Sequence, residues 1–146
     1  SKRSMVQFHV RAPMEWTADN QIKKELRRIL QLAEFNHVKG SQITLYRSYG
    51  SSARAYARIW GLPRVWQQAL SLKPHYIIEV ISEKFNKLSS TDQIKTLIHE
   101  LLHIPRNFSG ALVPHKGRRK NISHDIINGI YINYLNRFPQ TRERHG

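Results

Sequence analysis

The chain has 146 residues, 40% of them hydrophobic, and carries 24 lysines and arginines against 10 acids for a net charge of +14. That length and apolar content predict one domain spanning residues 1–146 with a real core, and exclude a disordered tail. No run of 18 apolar residues crosses a bilayer, and the opening SKRSMVQFHV lacks the apolar stretch of a signal peptide, so no membrane partner and a cytoplasmic location are expected.

With no cysteine, disulfides and thiolate metal ligands are excluded, and eight histidines are the soft-nitrogen ligands available. The basic excess favours non-specific contact with DNA or RNA. The alternative is that the charge serves solubility alone.

In chain order, Val6 to Val10 alternates enough for a short strand. Thr17 is the expected cap of an amphipathic helix over residues 18–35, with Ile22, Leu26, Ile29, Leu30 and Ala33 at helical spacing. Lys23, Lys24, Arg27 and Arg28 fall on its other side and form the candidate nucleic-acid-binding face, or else a solvated one. SQITLYRSYG and SSARAYARIWGLP read as strands, PRVWQQAL as a short helix and HYIIEVI as a further strand. Ser90 with Gln93 has capping-box spacing and starts a helix through TDQIKTLIHELLHI that is apolar on most sides, hence buried, and is stopped by Pro105. A loop follows, and the last helix is predicted from near Lys116 to about Arg137, marked by Ile122, Ile126, Ile127, Ile130, Tyr134 and Leu135.

LIHELLHIP, at Leu97 to Pro105, carries the chemistry. His99 and His103 are one helical turn apart, so their rings leave the same face and can take two corners of a zinc tetrahedron. Glu100 is rotated about 100 degrees from His99 and can stand beside the ion as a base. This is the H-E-x-x-H arrangement of zinc peptidases. The alternative is a pair of core histidines satisfied by backbone, with Glu100 outward.

A catalytic zinc needs a third protein ligand. The metzincin spacing fails at Arg106 and Ser109, a related ribonuclease spacing also fails at Ser109, and the deformylase pattern needs a cysteine. His115 and His124 are the downstream candidates. His115 is favoured because a loop of that length can double back over the helix, with Gly117 allowing a close approach; His124, next to Asp125, is the other option.

HELLHIPRNFSGALVPHKG resembles the archaeal and phage metallopeptidases that are similar to the SprT-like and WLM zincins, and GSSARAYARIWGLPRVWQ with YIIEVI resembles their strand-rich part. Those families follow H-E-x-x-H with a loop and a His-Gly-type element opening a helix; here His115-Lys116-Gly117 matches with one residue inserted. The resemblance spans roughly residues 44–135. It implies an α+β, minimal zincin-like fold, in which a small mixed β-sheet packs on an H-E-x-x-H active-site helix and backing helices. It also implies protein substrates associated with DNA.

The expected function is therefore zinc-dependent hydrolysis of peptide bonds, with Zn2+ on His99, His103 and His115 and Glu100 as catalytic base. The substrate is expected to be a protein or peptide, one associated with nucleic acid, added along a sheet edge formed by ARAYARIW or HYIIEVI. Arg118, Tyr131 and Tyr56 are candidates for stabilising the oxyanion. Two rivals stand beside this reading. One is a basic nucleic-acid-binding protein with a structural or vestigial zinc, supported by the α-helical basic face and by Arg118, Arg119 and Lys120. The other is a metal-dependent hydrolase of another substrate, such as a nuclease; Asp19, Asp92 and Asp125 are few carboxylates for hard metals.

Overall fold

A computed structural model describes residues 14–115 and 122–138. The predicted strand at Val6 to Val10 lies outside these residues, as do Gly117, Arg118, Arg119 and Lys120.

The described chain is α+β. Strand β1 (Glu15–Ala18) leads into helix α1 (Asn20–Leu32), a 3-10 turn over Gly40–Gln42, and strand β2 (Ile43–Tyr49). Strand β3 (Ala57–Trp60), helix α2 (Arg64–Leu70) and strand β4 (Tyr76–Ile81) follow. Helix α3 (Ser82–Phe85), helix α4 (Ser90–Leu101) and helix α5 (His124–Arg137) complete the order.

The four strands form one mixed sheet in the order β1-β2-β4-β3. The β2–β4 pair is parallel and the two outer pairs are antiparallel. HYIIEVI is therefore an inner strand, against the expectation that it could form the edge. The reason is burial: Tyr76, Ile78, Glu79, Val80 and Ile81 are all at 0% exposure, so both faces of β4 are covered. ARAYARIW supplies the edge through β3.

The register fixes the faces. Ala57 stands opposite Val80 and Ile59 opposite Ile78, and this side meets the core. Leu26 and Ile29 of α1, Leu97, Ile98 and Leu101 of α4, and Ile127 and Tyr134 of α5 fill the other half of that core. On the opposite side Arg58 stands across from Glu79. Arg58 Nε and Trp60 Nε1 each donate to Glu79 Oε1 at 2.9 Å, which is how a carboxylate survives full burial.

Strand β3 is shorter than the sequence reading, confined to Ala57–Trp60, α1 ends at Leu32 rather than Phe35, and three helix starts differ as well. Thr17 lies in β1, and the cap of α1 is Asp19, whose carboxylate accepts from Ile22 N–H at 2.9 Å and from Arg47 Nε at 2.9 Å. A carboxylate serves a helix N-terminus and a half-buried arginine together; a threonine cannot. The cap of α4 is Ser89, accepting from Asp92 N–H, while Gln93 turns back to the Phe85 carbonyl. Helix α5 starts at His124 behind the Ser123 cap, so Ile122 precedes it; the predicted start near Lys116 lies outside the described residues.

Candidate metal centre

Helix α4 ends its regular turns at Leu101, short of Pro105. Its chain then tightens: His103 N–H donates to Glu100 O at 3.1 Å and Ile104 N–H to Leu101 O at 3.1 Å. This keeps His103 on the side that His99 faces. Leu97, Ile98 and Leu101 anchor the opposite side of the helix in the core at 0–1% exposure.

The loop after α4 returns to the helix. Val113 N–H donates to His103 O at 2.7 Å, and His103 Nδ1 donates to Val113 O at 2.5 Å. Two residues later His115 reaches His99, with their Nε2 atoms 2.9 Å apart. The rings of His99, His103 and His115 lie with centroids 4.5 to 5.3 Å apart.

One nitrogen from each ring falls within 4.8 Å of the others, a group that could hold a metal ion. A tetrahedral zinc with nitrogens at about 2.0–2.1 Å sets those nitrogens about 3.3 Å apart, so the spacing fits. The chemistry of the donors fits as well. The Nδ1–H bond to Val113 fixes the His103 tautomer and leaves Nε2 with its lone pair toward the cluster. Burial, together with His103, His115 and His124 nearby, pushes the pKa of His99 down to about 4. Burial and the neighbouring His115 outweigh the Val113 bond and lower that of His103 too. Neutral imidazoles are the form that ligates.

Glu100 lies beside the three rings at 7% exposure. Burial raises its pKa to about 8. A buried acid with no charge to oppose is held neutral, and a cation arriving beside it reverses that preference.

The three histidines and Glu100 line one cleft of about 890 Å3. Its β3 side is made by Ala55, Tyr56, Ala57, Arg58 and Ile59, and its helical side by Asp92, Lys95, Thr96 and Ile127. His124 also lines the cleft, at the first position of α5, but stands outside the three-histidine group. Tyr56 is half-exposed at the cleft. Tyr131 is turned away, its hydroxyl 3.1 Å from Thr91 Oγ1 and its ring under Lys95 Nζ at 5.2 Å.

The four basic positions of α1 do not form one free face. Lys23 Nζ donates to the carbonyls of Gly40 (3.0 Å) and Ile43, and burial with Arg27 beside it lowers its pKa. Arg28 pairs with Glu25 at 3.6 Å and lies 5.2 Å over the Phe138 ring. Lys24 and Arg27 are exposed.

Sequence reasoning missed Tyr76, Gln67 and Gly110, which hold the loop that carries His115. Gly61 and Gly110 mark the place: a Cβ on Gly61 would sit 2.3 Å from Gly110 O, and Gly110 has φ +97°. Two glycines flanking a close backbone approach were the available signal.

A mixed sheet over a helix bearing H-E-x-x-H, with a third histidine returned by the next loop, defines a minimal zincin-like protein. The family model described as "Putative phage metallopeptidase" matches residues 14–140, and the chain belongs to that family. No curated protein and no solved structure matches it. Among the described residues no helix is long and apolar enough to cross a membrane.

Proposed function

We propose that the protein is a zinc-dependent peptidase in which His99, His103 and His115 hold the ion and Glu100 is the general base. The observation that carries this reading is the convergence of three imidazoles beside a buried glutamate in one cleft, within a chain of the metallopeptidase family.

Zinc bound there supplies an acidified water and polarisation of the scissile carbonyl. Glu100 takes the proton of the attacking water and passes it to the leaving amine. Of the two described candidates, Tyr56 and Tyr131, Tyr56 is the one that lines the cleft and can donate to the developing oxyanion. The substrate lies extended along β3, an outer strand among the described residues, adding a strand to the sheet. Its side chains then fall between β3 and the α4 face that carries Asp92, Lys95, Thr96 and His99. Protein substrates held on nucleic acid suit the +14 charge. A purely structural zinc has no use for a carboxylate at Glu100, nor for an open cleft beside it.

The test is Glu100→Gln assayed against an unbiased peptide library. The variant should retain its metal and fold and lose hydrolysis by at least about 100-fold, the usual worth of a positioned base. Wild-type turnover in this variant would remove Glu100 from the mechanism.

A further inference from the structure

The loop that delivers His115 is held by residues 34 to 42 positions away in sequence. Tyr76, at the start of β4, is fully buried. Its hydroxyl accepts from Gly110 N–H at 2.8 Å and donates to Ala111 O at 2.7 Å, so it both accepts from and donates to consecutive residues of that loop. The Phe108 ring rests on Tyr76 at 5.0 Å, with Phe108 in the left-handed region at φ 48°.

Gln67 ties the same loop from the other side. Its Nε2 donates one hydrogen to Leu62 O at 2.7 Å and the other to Ser109 O at 2.8 Å. Leu62 N–H in turn donates to Gly110 O at 3.0 Å. Helix α2 buries no residue of its own, so this link is not a by-product of core packing. Beyond it, Val113 is bonded twice to His103, and His115 follows.

We propose that Tyr76 and Gln67 are positioning residues of the metal centre: they fix residues 109–111 so that His115 meets His99 and His103. The inference rests on the metal reading above. Without these bonds the loop keeps its tie at Val113 but loses the fixed path by which it reaches the helix. The binding-competent placement of His115 is then a smaller fraction of the ensemble, and apparent affinity falls by that fraction.

Four variants of the full chain test this: Tyr76→Phe, Gln67→Glu, His115→Ala, and Tyr134→Phe as control. Gln67→Glu is isosteric but points a carboxylate at two carbonyl oxygens. Tyr134 is another buried tyrosine, whose hydroxyl bonds Glu25 away from the loop. Zn2+ and Co2+ affinities are measured by chelator competition, with circular dichroism for the fold and the visible Co2+ spectrum for coordination.

Tyr76→Phe and Gln67→Glu should each weaken both metals by about 10- to 100-fold, as loss of outer-shell support does. Their Co2+ spectra should move toward that of His115→Ala, while Tyr134→Phe stays within about twofold of wild type even if it melts earlier. Wild-type affinity in both loop variants, with a large loss in His115→Ala, would overturn the positioning role and leave the metal reading intact. No loss in His115→Ala would overturn both. Equal losses in Tyr134→Phe and the loop variants would reduce the effect to general destabilisation and also overturn the proposal. Should Tyr76→Phe not fold, Gln67→Glu, at a surface helix, decides alone.

Discussion

Glu100 shows what burial does to a single side chain before any metal arrives. Its pKa is raised to about 8 by burial from an ordinary 4.5. In the metal-free protein the folded state therefore holds a proton that the unfolded state releases between those values. Stability from this group is present below pH 4.5 and is lost as pH rises through about 8. His99 acts in the opposite sense over a lower range, its pKa depressed from 6.5 to about 4, chiefly by burial, so comparison with Glu100→Gln isolates the acid. Thermal melts of the two metal-free proteins should agree at about pH 4, below the ordinary value of 4.5. At pH 8.5 the glutamine variant should be the more stable, because its amide never has to ionise. Parallel melting curves across that range would show that Glu100 is not desolvated as the structure has it.

At the scale of elements, Asp19 joins helix α1 to the sheet. Its carboxylate caps α1 at Ile22 and meets Arg47 of β2, whose Nη1 continues to Ser82, the first residue of α3, and to Asn86 at its end. Burial alone would raise the Asp19 pKa, but the Ile22 bond and Arg47 outweigh it and hold it below 3.8. Asp19→Ala should cost about 1–2 kcal/mol at pH 7, as lost caps do. Because the native pKa is depressed, that stabilisation is present above pH 3.8 and disappears as pH falls through the native value. Denaturant melts at pH 7 and pH 3 check both the size and the narrowing gap.

This junction also shows where sequence reading stopped. Period and composition locate α1, β2, β3, β4, α4 and α5, each carried by its own apolar pattern, and Pro63 marks the start of α2. The α1 cap was misplaced to Thr17 because Asp19's partner, Arg47, is 28 residues away. Strand β1 is not legible because EWTA is only four residues long and its last two fall where the helix start is read, at Thr17 and Ala18. The H-E-x-x-H residues were legible because helical spacing alone puts His99 and His103 on one side. His115 could be named only as a candidate, since its place depends on Tyr76, Gln67 and Val113, contacts that no local pattern encodes.

For the whole molecule, the question is what the +14 charge does. Lys23 is committed to the Gly40 and Ile43 carbonyls, so its removal should cost stability more than binding. Lys24 and Arg27 are the exposed pair of α1. If they meet phosphates, replacing both with glutamine should lower the slope of log affinity against log salt by about two, one released counterion for each. Fluorescence anisotropy on single- and double-stranded DNA checks this. An unchanged slope would move the nucleic-acid contact off α1, and no binding at low salt would leave the charge to solubility.

Metal-dependent chemistry in this chain requires that the three histidines hold an ion. Elemental analysis of the purified protein and of the His99→Ala, His103→Ala double variant measures this without knowing any substrate. The expected result is about one zinc per wild-type chain, as one three-histidine group requires, and none in the variant; full zinc in the double variant would contradict the site.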